Sequence, residues 1–344
     1  MTVLAHPIDF RLLPGTEASE PPEGRGLARD QVRLLVAADG EIHHRRFTDL
    51  GEFLRAGDLL VVNTSLTLAA AVTARRSYGR AAVAHLSTGL DDGSWLVELR
   101  PAFGATGPLG DIEVGERLSL PGDAALTTLE PVGGRLWRCR VDVDGEVIDY
   151  LWAHGRPIRY SYLQGSWPLS AYQTVFASDP GSAEMPSAGR PFSRSLVTSL
   201  VTHGVVIAPI TLHCGVSSLD AGDPPLPERY RVPEVTAELV NATRRAGRRV
   251  VAVGTTVTRA LESVAAPDGS VQSGAGWTDL VLGPARPTYA VDGIISGWHE
   301  PGASHLSLLE AVVGHQLVAD AYDAALREGY LWHEFGDSCL LLPR

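Results

Sequence analysis

Residues 249–263 read Arg-Val-Val-Ala-Val-Gly-Thr-Thr-Val-Thr-Arg-Ala-Leu-Glu-Ser, and the order of residue types is that of a strand, a tight turn and a helix. A short β-branched apolar run comes first, Gly254 allows the turn, and the helix formers follow. Thr255 and Thr256 then present hydroxyls and free N–H groups at the positive end of the helix dipole, where a carboxylate or phosphate binds. The alternative is structural, with threonine merely capping the helix. Arg259 and Glu262 lie three apart on that helix, spaced for a substrate clamp or a surface ion pair.

Outward from this unit, strand and helix alternate. Ser193–Gly204, Val235–Ala246, Thr256–Ala265 and Ser307–Glu328 show apolar spacing near 3.6, while Val205–Leu212, Arg249–Val253 and Leu280–Leu282 read as strands. The alternation predicts a mostly parallel sheet with helices on its faces and a binding crevice beyond the carboxyl ends of its strands.

Upstream the texture differs. After an irregular Pro/Gly/Glu-rich arm over residues 11–30, Val32–Ala37 and Ile42–Phe47 flank the Asp39-Gly40 turn as a hairpin. A short helix at Phe53-Leu54 and a strand at Asp58–Asn63 follow. From Ala70 to Ile148 come only short alternating runs, Ala81–Leu86, Trp95–Leu99, Arg117–Leu120 and Leu136–Val143, with a hairpin expected at Gly115-Glu116-Arg117-Leu118. That pattern predicts a small all-β barrel or sandwich inserted into the α/β fold. Residues 1–68 and 150–344 are thus expected to form one discontinuous domain and 69–149 the insert.

Composition narrows the chemistry. In 344 residues there is no lysine, so all 29 basic residues are arginine, which excludes Schiff-base catalysis and a lysine-dependent P-loop. A formal charge of −11 offers no global attraction to nucleic acid, leaving RNA contact to local clusters such as Arg75, Arg76 and Arg80, or Arg244, Arg245, Arg248 and Arg249. Cys139, Cys214 and Cys339 lack a C-x-x-C pair and are expected as reduced core thiols. With neither a signal-peptide layout nor a membrane-length apolar run, cytoplasmic residence is expected. No metal site is expected either, since H-E-x-x-H and paired-cysteine spacings are absent.

Polar clusters end several apolar segments: Tyr172-Gln173-Thr174, Pro186-Ser187-Ala188-Gly189, Thr211-Leu212-His213-Cys214-Gly215 and Gly297-Trp298-His299-Glu300-Pro301. His213 and His299 are candidate general bases or structural histidines. Asp279 and Asp337 are helix caps or polar ligands. A hydrolase triad of Ser187 with His213 and Asp220 or Asp337 lacks the Gly-x-Ser-x-Gly elbow.

Taken in order, these tracts resemble the S-adenosylmethionine:tRNA ribosyltransferase-isomerase family of queuosine biosynthesis along nearly the whole chain. The likeness is carried by Arg33-Leu34-Leu35-Val36, Gly57–Thr64, Tyr172-Gln173-Thr174-Val175, Ala188-Gly189, Thr211-Leu212-His213, Val253-Gly254-Thr255-Thr256, Arg259, Leu261-Glu262-Ser263 and Phe335-Gly336-Asp337. The resemblance implies a Rossmann-like three-layer α/β domain bearing a β-barrel. It also implies transfer and isomerisation of the ribosyl moiety of S-adenosylmethionine onto 7-aminomethyl-7-deazaguanine in tRNA, giving epoxyqueuosine, adenine and methionine without a metal. On it, His213 and His299 are the expected bases. Gly254, Thr255, Thr256, Arg259, Glu262, Asp279, Tyr172 and Gln173 are expected on S-adenosylmethionine, and Asn63, Thr64, Ser187, Gly189 and Asp337 on the acceptor.

Several positions depart from the family pattern. Its Asn-Asn-Thr-Arg is Val62-Asn63-Thr64-Ser65 here, Pro191 fills a histidine position, and Gly-x-Gly-Thr-Phe becomes Gly215-Val216-Ser217-Ser218-Leu219. Asn-Phe-His-Leu-Pro-Lys-Ser becomes Gly297-Trp298-His299-Glu300-Pro301-Gly302-Ala303. Loss of an arginine, a histidine and a lysine, with gain of Glu184 and Glu300, opposes phosphate contacts. A homologue acting on a small molecule or on the cofactor itself is therefore an alternative to the tRNA enzyme, and a non-catalytic nucleoside-binding protein is a third.

Overall fold

The computed structural model describes residues 8, 10–102, 107–216 and 226–343. Asp220 and the Ser217-Ser218-Leu219 departure lie outside the described residues. The chain opens with the hairpin β1 (Arg33–Ala38) and β2 (Glu41–Arg46), then β3 (Leu59–Asn63) and the short β4 (Ser65–Thr67). Six strands follow: β5 (Ala71–Arg75), β6 (Ala81–Gly89), β7 (Trp95–Pro101), β8 (Arg117–Ser119), β9 (Ala125–Val132) and β10 (Leu136–Asp142). They close into an antiparallel barrel in the order β10-β7-β6-β5-β8-β9. Closure removes the free edges that such short strands would otherwise expose. The barrel's apolar core also takes in Leu68, Leu151, Ile158, Ala183 and Val216 from outside its strands.

Helix α1 (Val147–His154) leads to β11 (Asp179–Ser182), α2 (Arg194–Thr202), β12 (Val206–Leu212) and β13 (Glu228–Val232). Then come α3 (Glu234–Arg245), β14 (Val250–Val253), α4 (Thr255–Glu262), β15 (Gly274–Thr278), β16 (Gly293–Gly297), α5 (Ser304–Val313), α6 (His315–Arg327) and β17 (Ser338–Leu341). The large sheet runs β15-β13-β12-β3-β14-β16-β17-β1-β2, with β4 and β11 paired separately. Its centre, β12-β3-β14-β16, is parallel, as the strand-helix alternation predicts. Both flanks bring antiparallel pairs, β12 with β13, β13 with β15, β16 with β17 and β1 with β2.

Alternation along the central strands divides the core between the faces of the sheet. Leu59 and Val61 of β3 pack with Ala237 and Val240 of α3 and Val257, Ala260 and Leu261 of α4. Leu60 and Val62 pack on the other side with Phe192 and with Leu196 and Leu200 of α2. Helix, sheet and helix give three layers, and each buried Val, Leu or Phe among these contributes about 1.5–3 kcal/mol. This two-sided burial explains why β3 and β14 read as unbroken apolar runs.

Three expected elements differ. The short helix expected at Phe53-Leu54 lies ahead of it, as a 3-10 helix over Phe47–Glu52. The helix expected over Ser307–Glu328 is broken by Gly314, whose φ of 84° takes the chain out of the helix between α5 and α6. Leu280–Leu282 is not a strand: β15 ends at Thr278, and the Leu280 carbonyl accepts Arg259 Nε at 3.1 Å. No helix among the described residues is long and apolar enough to cross a membrane.

Candidate functional site

The carboxyl ends of β12, β14 and β16 open on a cavity of about 350 Å³ that reaches the barrel side at Thr67 and Thr88. Gly254 sits at its edge with φ 100° and ψ 160°, the turn between β14 and α4. A Cβ there would stand 3.3 Å from Ala188 Cβ, in backbone that L-residues rarely adopt. Thr255 and Thr256 line the cavity, and the first-turn N–H groups of α4 have no intrahelical acceptors.

His299 also lines the cavity. Its Nε2 lies 2.9 Å from Ser296 Oγ, and its ring stacks on His305 at 4.5 Å. Burial, with His305 and His333 nearby, holds His299 well below the ordinary histidine range, and burial pushes His305 down to about 4. Both rings are therefore neutral near pH 7. Tyr172 and Ser187, both expected on ligands, are in the wall as well.

Arg259 lines the cavity, but its donors are largely committed. It pairs with Glu228 and donates to the carbonyls of Leu280, Thr278 and Leu226. Glu262 does not pair with Arg259 as the spacing suggests. It lies outside the cavity wall, 2% exposed, and accepts N–H groups of Tyr289 and Ala290 at 2.8 Å and Val291 at 3.2 Å, with Arg286 at 3.2 Å.

His213 is likewise outside the wall. Its Nδ1 lies 2.7 Å from Ser65 Oγ, which meets Ser182 Oγ at 2.6 Å. The serine that replaces the family arginine thus holds this histidine. The ring covers Gly181, where a Cβ would collide with the imidazole. Burial lowers the His213 pKa, opposed by Asp179.

The remaining expected residues support the wall from behind or stand apart. Asn63 spans β3 and β12, its Nδ2 donating to the Leu212 carbonyl at 2.8 Å and its Oδ1 accepting Leu212 N–H at 3.1 Å. Thr64 Oγ1 donates to the Ile210 carbonyl at 3.0 Å. Gln173 grips the Thr67 backbone by both amide atoms. Gly189 packs on Thr174 and Phe176. Asp337 accepts Arg33 and Leu331 N–H groups, each at 2.8 Å, and with Ser187 borders a recess of only about 10 Å³. Asp279 is exposed and absent from the wall.

Tyr160, Tyr162, Glu228, His305, His333 and Glu334, all in the wall, lie outside the motifs of the sequence. The signal available for two of them was adjacency: His333 and Glu334 directly precede Phe335-Gly336-Asp337. Four carboxylates line the cavity, Glu184, Glu228, Glu300 and Glu334, against one arginine. No cluster of three or more metal-ligating side chains occurs among the described residues.

A family model described as queuosine biosynthesis protein matches residues 6–341. The chain is 34% identical to the S-adenosylmethionine:tRNA ribosyltransferase-isomerase of Moorella thermoacetica, over 97% of this chain and 98% of that one. It is 35% identical to the protein of the same name from Thermus thermophilus, over the same shares. The crystal structure of S-adenosylmethionine tRNA ribosyltransferase from Thermotoga maritima matches with a TM-score of 0.55 at 28% identity, covering 97% of this chain and 99% of that one. Likeness over nearly the full length, joined to a three-layer sheet whose strand ends face one cavity beside a closed barrel, makes this chain a member of the queuosine biosynthesis protein family.

Proposed function

We propose that the chain transfers and isomerises the ribosyl moiety of S-adenosylmethionine onto 7-aminomethyl-7-deazaguanine in tRNA, forming epoxyqueuosine and releasing adenine and methionine. The observation that carries this is the free N-terminus of α4 opening, at Gly254-Thr255-Thr256, into the same cavity as a buried neutral His299. The helix end suits the methionyl carboxylate. The sulfonium acidifies its neighbouring carbon, and a neutral imidazole is the form that accepts the proton. With Nε2 engaged by Ser296, the other ring nitrogen serves that step. Trp298 Nε1 and Thr67 Oγ1 are buried at the cavity without hydrogen-bond partners and are donors for the departing adenine. His213, Gln173, Asn63 and Thr64 would act by positioning. The same proposal places the enzyme with tRNA in the cytoplasm, working without a metal.

The test is adenine release from S-adenosylmethionine in the presence of tRNA bearing the deazaguanine, followed by chromatography. Replacing His299 with alanine is expected to lower the rate about a hundredfold or more. Full release by that variant would remove His299 from the role, and the same result for His213→Ala would leave His213 structural.

An acceptor smaller than tRNA is favoured by one observation: the four wall carboxylates face a single arginine that is already paired with Glu228. Adenine formed without tRNA, in the presence of a small amine, would support that acceptor.

A further inference from the structure

One part of the cavity wall has no role in the chemistry above. A turn closed by Leu163 N–H on the Tyr160 carbonyl, at 3.2 Å, sets two tyrosines side by side. Tyr160 and Tyr162 stack at 5.9 Å with planes 12° apart, and Tyr162 stacks in turn on His333 at 4.5 Å and 16°. All three rings line the cavity as a near-parallel column. Such a column holds a planar base by its face.

Glu334 stands at the same place, accepting a hydrogen bond from the Tyr162 hydroxyl. Tyr160 Oη is buried there without a hydrogen-bond partner, a cost that a polar ligand removes. Burial raises the Glu334 carboxyl above the usual range, against the Tyr162 hydrogen bond, so that an approaching cation would restore its charge. A phosphate finds no uncommitted arginine in this wall among the described residues, whereas an ammonium group finds a carboxylate.

We infer that the Tyr160–Tyr162–His333 column and Glu334 form the acceptor subsite, where a planar base stacks on the rings and Glu334 binds its primary amine as ammonium, then takes the proton that this nitrogen sheds before it bonds to the ribosyl carbon. The inference deepens the proposed reaction and rests on its cavity. It makes Glu334 the residue that selects an aminomethyl-bearing base over a neutral one.

Equilibrium titration of the full chain with free 7-aminomethyl-7-deazaguanine and with its neutral 7-methyl analogue separates charge recognition from stacking. The unaltered protein is expected to prefer the aminomethyl base by about tenfold or more, the scale of a charge-assisted hydrogen bond. Glu334→Gln is expected to bind the two bases within about threefold of each other, with unchanged affinity for S-adenosylmethionine. Tyr162→Phe, which frees the carboxyl from its internal donor, is expected to keep the preference.

Three results overturn the inference: no preference in the unaltered protein, a preference that survives Glu334→Gln, or loss of S-adenosylmethionine together with both bases. Adenine release with tRNA, measured in parallel, keeps the two ideas distinct. Base preference without adenine release leaves the subsite and removes the ribosyl transfer. Adenine release without base preference removes the subsite alone.

Discussion

Glu262 shows how one residue of a recognised motif serves the scaffold. Its buried carboxylate accepts three successive backbone N–H groups at Tyr289, Ala290 and Val291, fixing the loop that leads into β16. Glu262→Ala would leave those donors and Arg286 without it, so a loss of about 3–5 kcal/mol is expected in denaturant unfolding. Adenine release per folded molecule should change little. His305 bears on pH. Its pKa falls from an ordinary 6.5 to about 4 on folding, so the unfolded chain binds the extra proton between those values. Its contribution is present above about pH 6.5 and is lost as pH falls through about 4. Glu228 and Glu334, with raised pKa values, act in the opposite sense. The clean measure is therefore a difference: His305→Gln should show a shallower drop in melting temperature over that window than the unaltered protein. Neither role is legible in the sequence, because an (i, i+3) spacing names the helix face and not the partner across from it.

At the scale of elements, the β14–turn–α4 unit does what its residue order dictates. The apolar run is buried on both sides, and Gly254 takes the positive φ that the turn requires. Gly254→Ala forces a side chain into that backbone and toward Ala188, and is expected to destabilise by about 1–2 kcal/mol. It should weaken S-adenosylmethionine binding at the same time, read by calorimetric titration at a temperature where the variant remains folded. The departure from a strand over 280–282 has a local cause: an apolar triplet satisfies strand periodicity, but the Leu280 carbonyl is taken by the Arg259 guanidinium of α4. Similarly, apolar spacing continued through Gly314, while the backbone did not.

On the scale of the whole molecule, charge is matched locally even where arginines cluster. On the barrel, Arg76 pairs with Asp111 and Glu116, Arg117 with Asp142, and Arg138 with Asp92 and Glu130. Few of these remain to release counterions from RNA. The KM for tRNA is therefore expected to rise less than about tenfold between 50 and 200 mM salt, far below the about 10³–10⁵ that accompanies six to ten phosphate contacts. A steep rise would place phosphate contacts on arginines outside these pairs. Local order along the chain carries the apolar runs of the central strands, the glycine turn, the all-β insert and the ordered motifs of the family. Which polar groups meet is set by the folded chain. Tyr160, Tyr162, Glu228, His305 and Glu334 come from segments far apart in the chain and share one cavity, while His213, Glu262 and Asp337 turn their hydrogen-bonding atoms to the scaffold. The physical reason is that burial and hydrogen-bond satisfaction are set by neighbours in space. Periodicity along the chain fixes the face a side chain occupies, and not what lies opposite it.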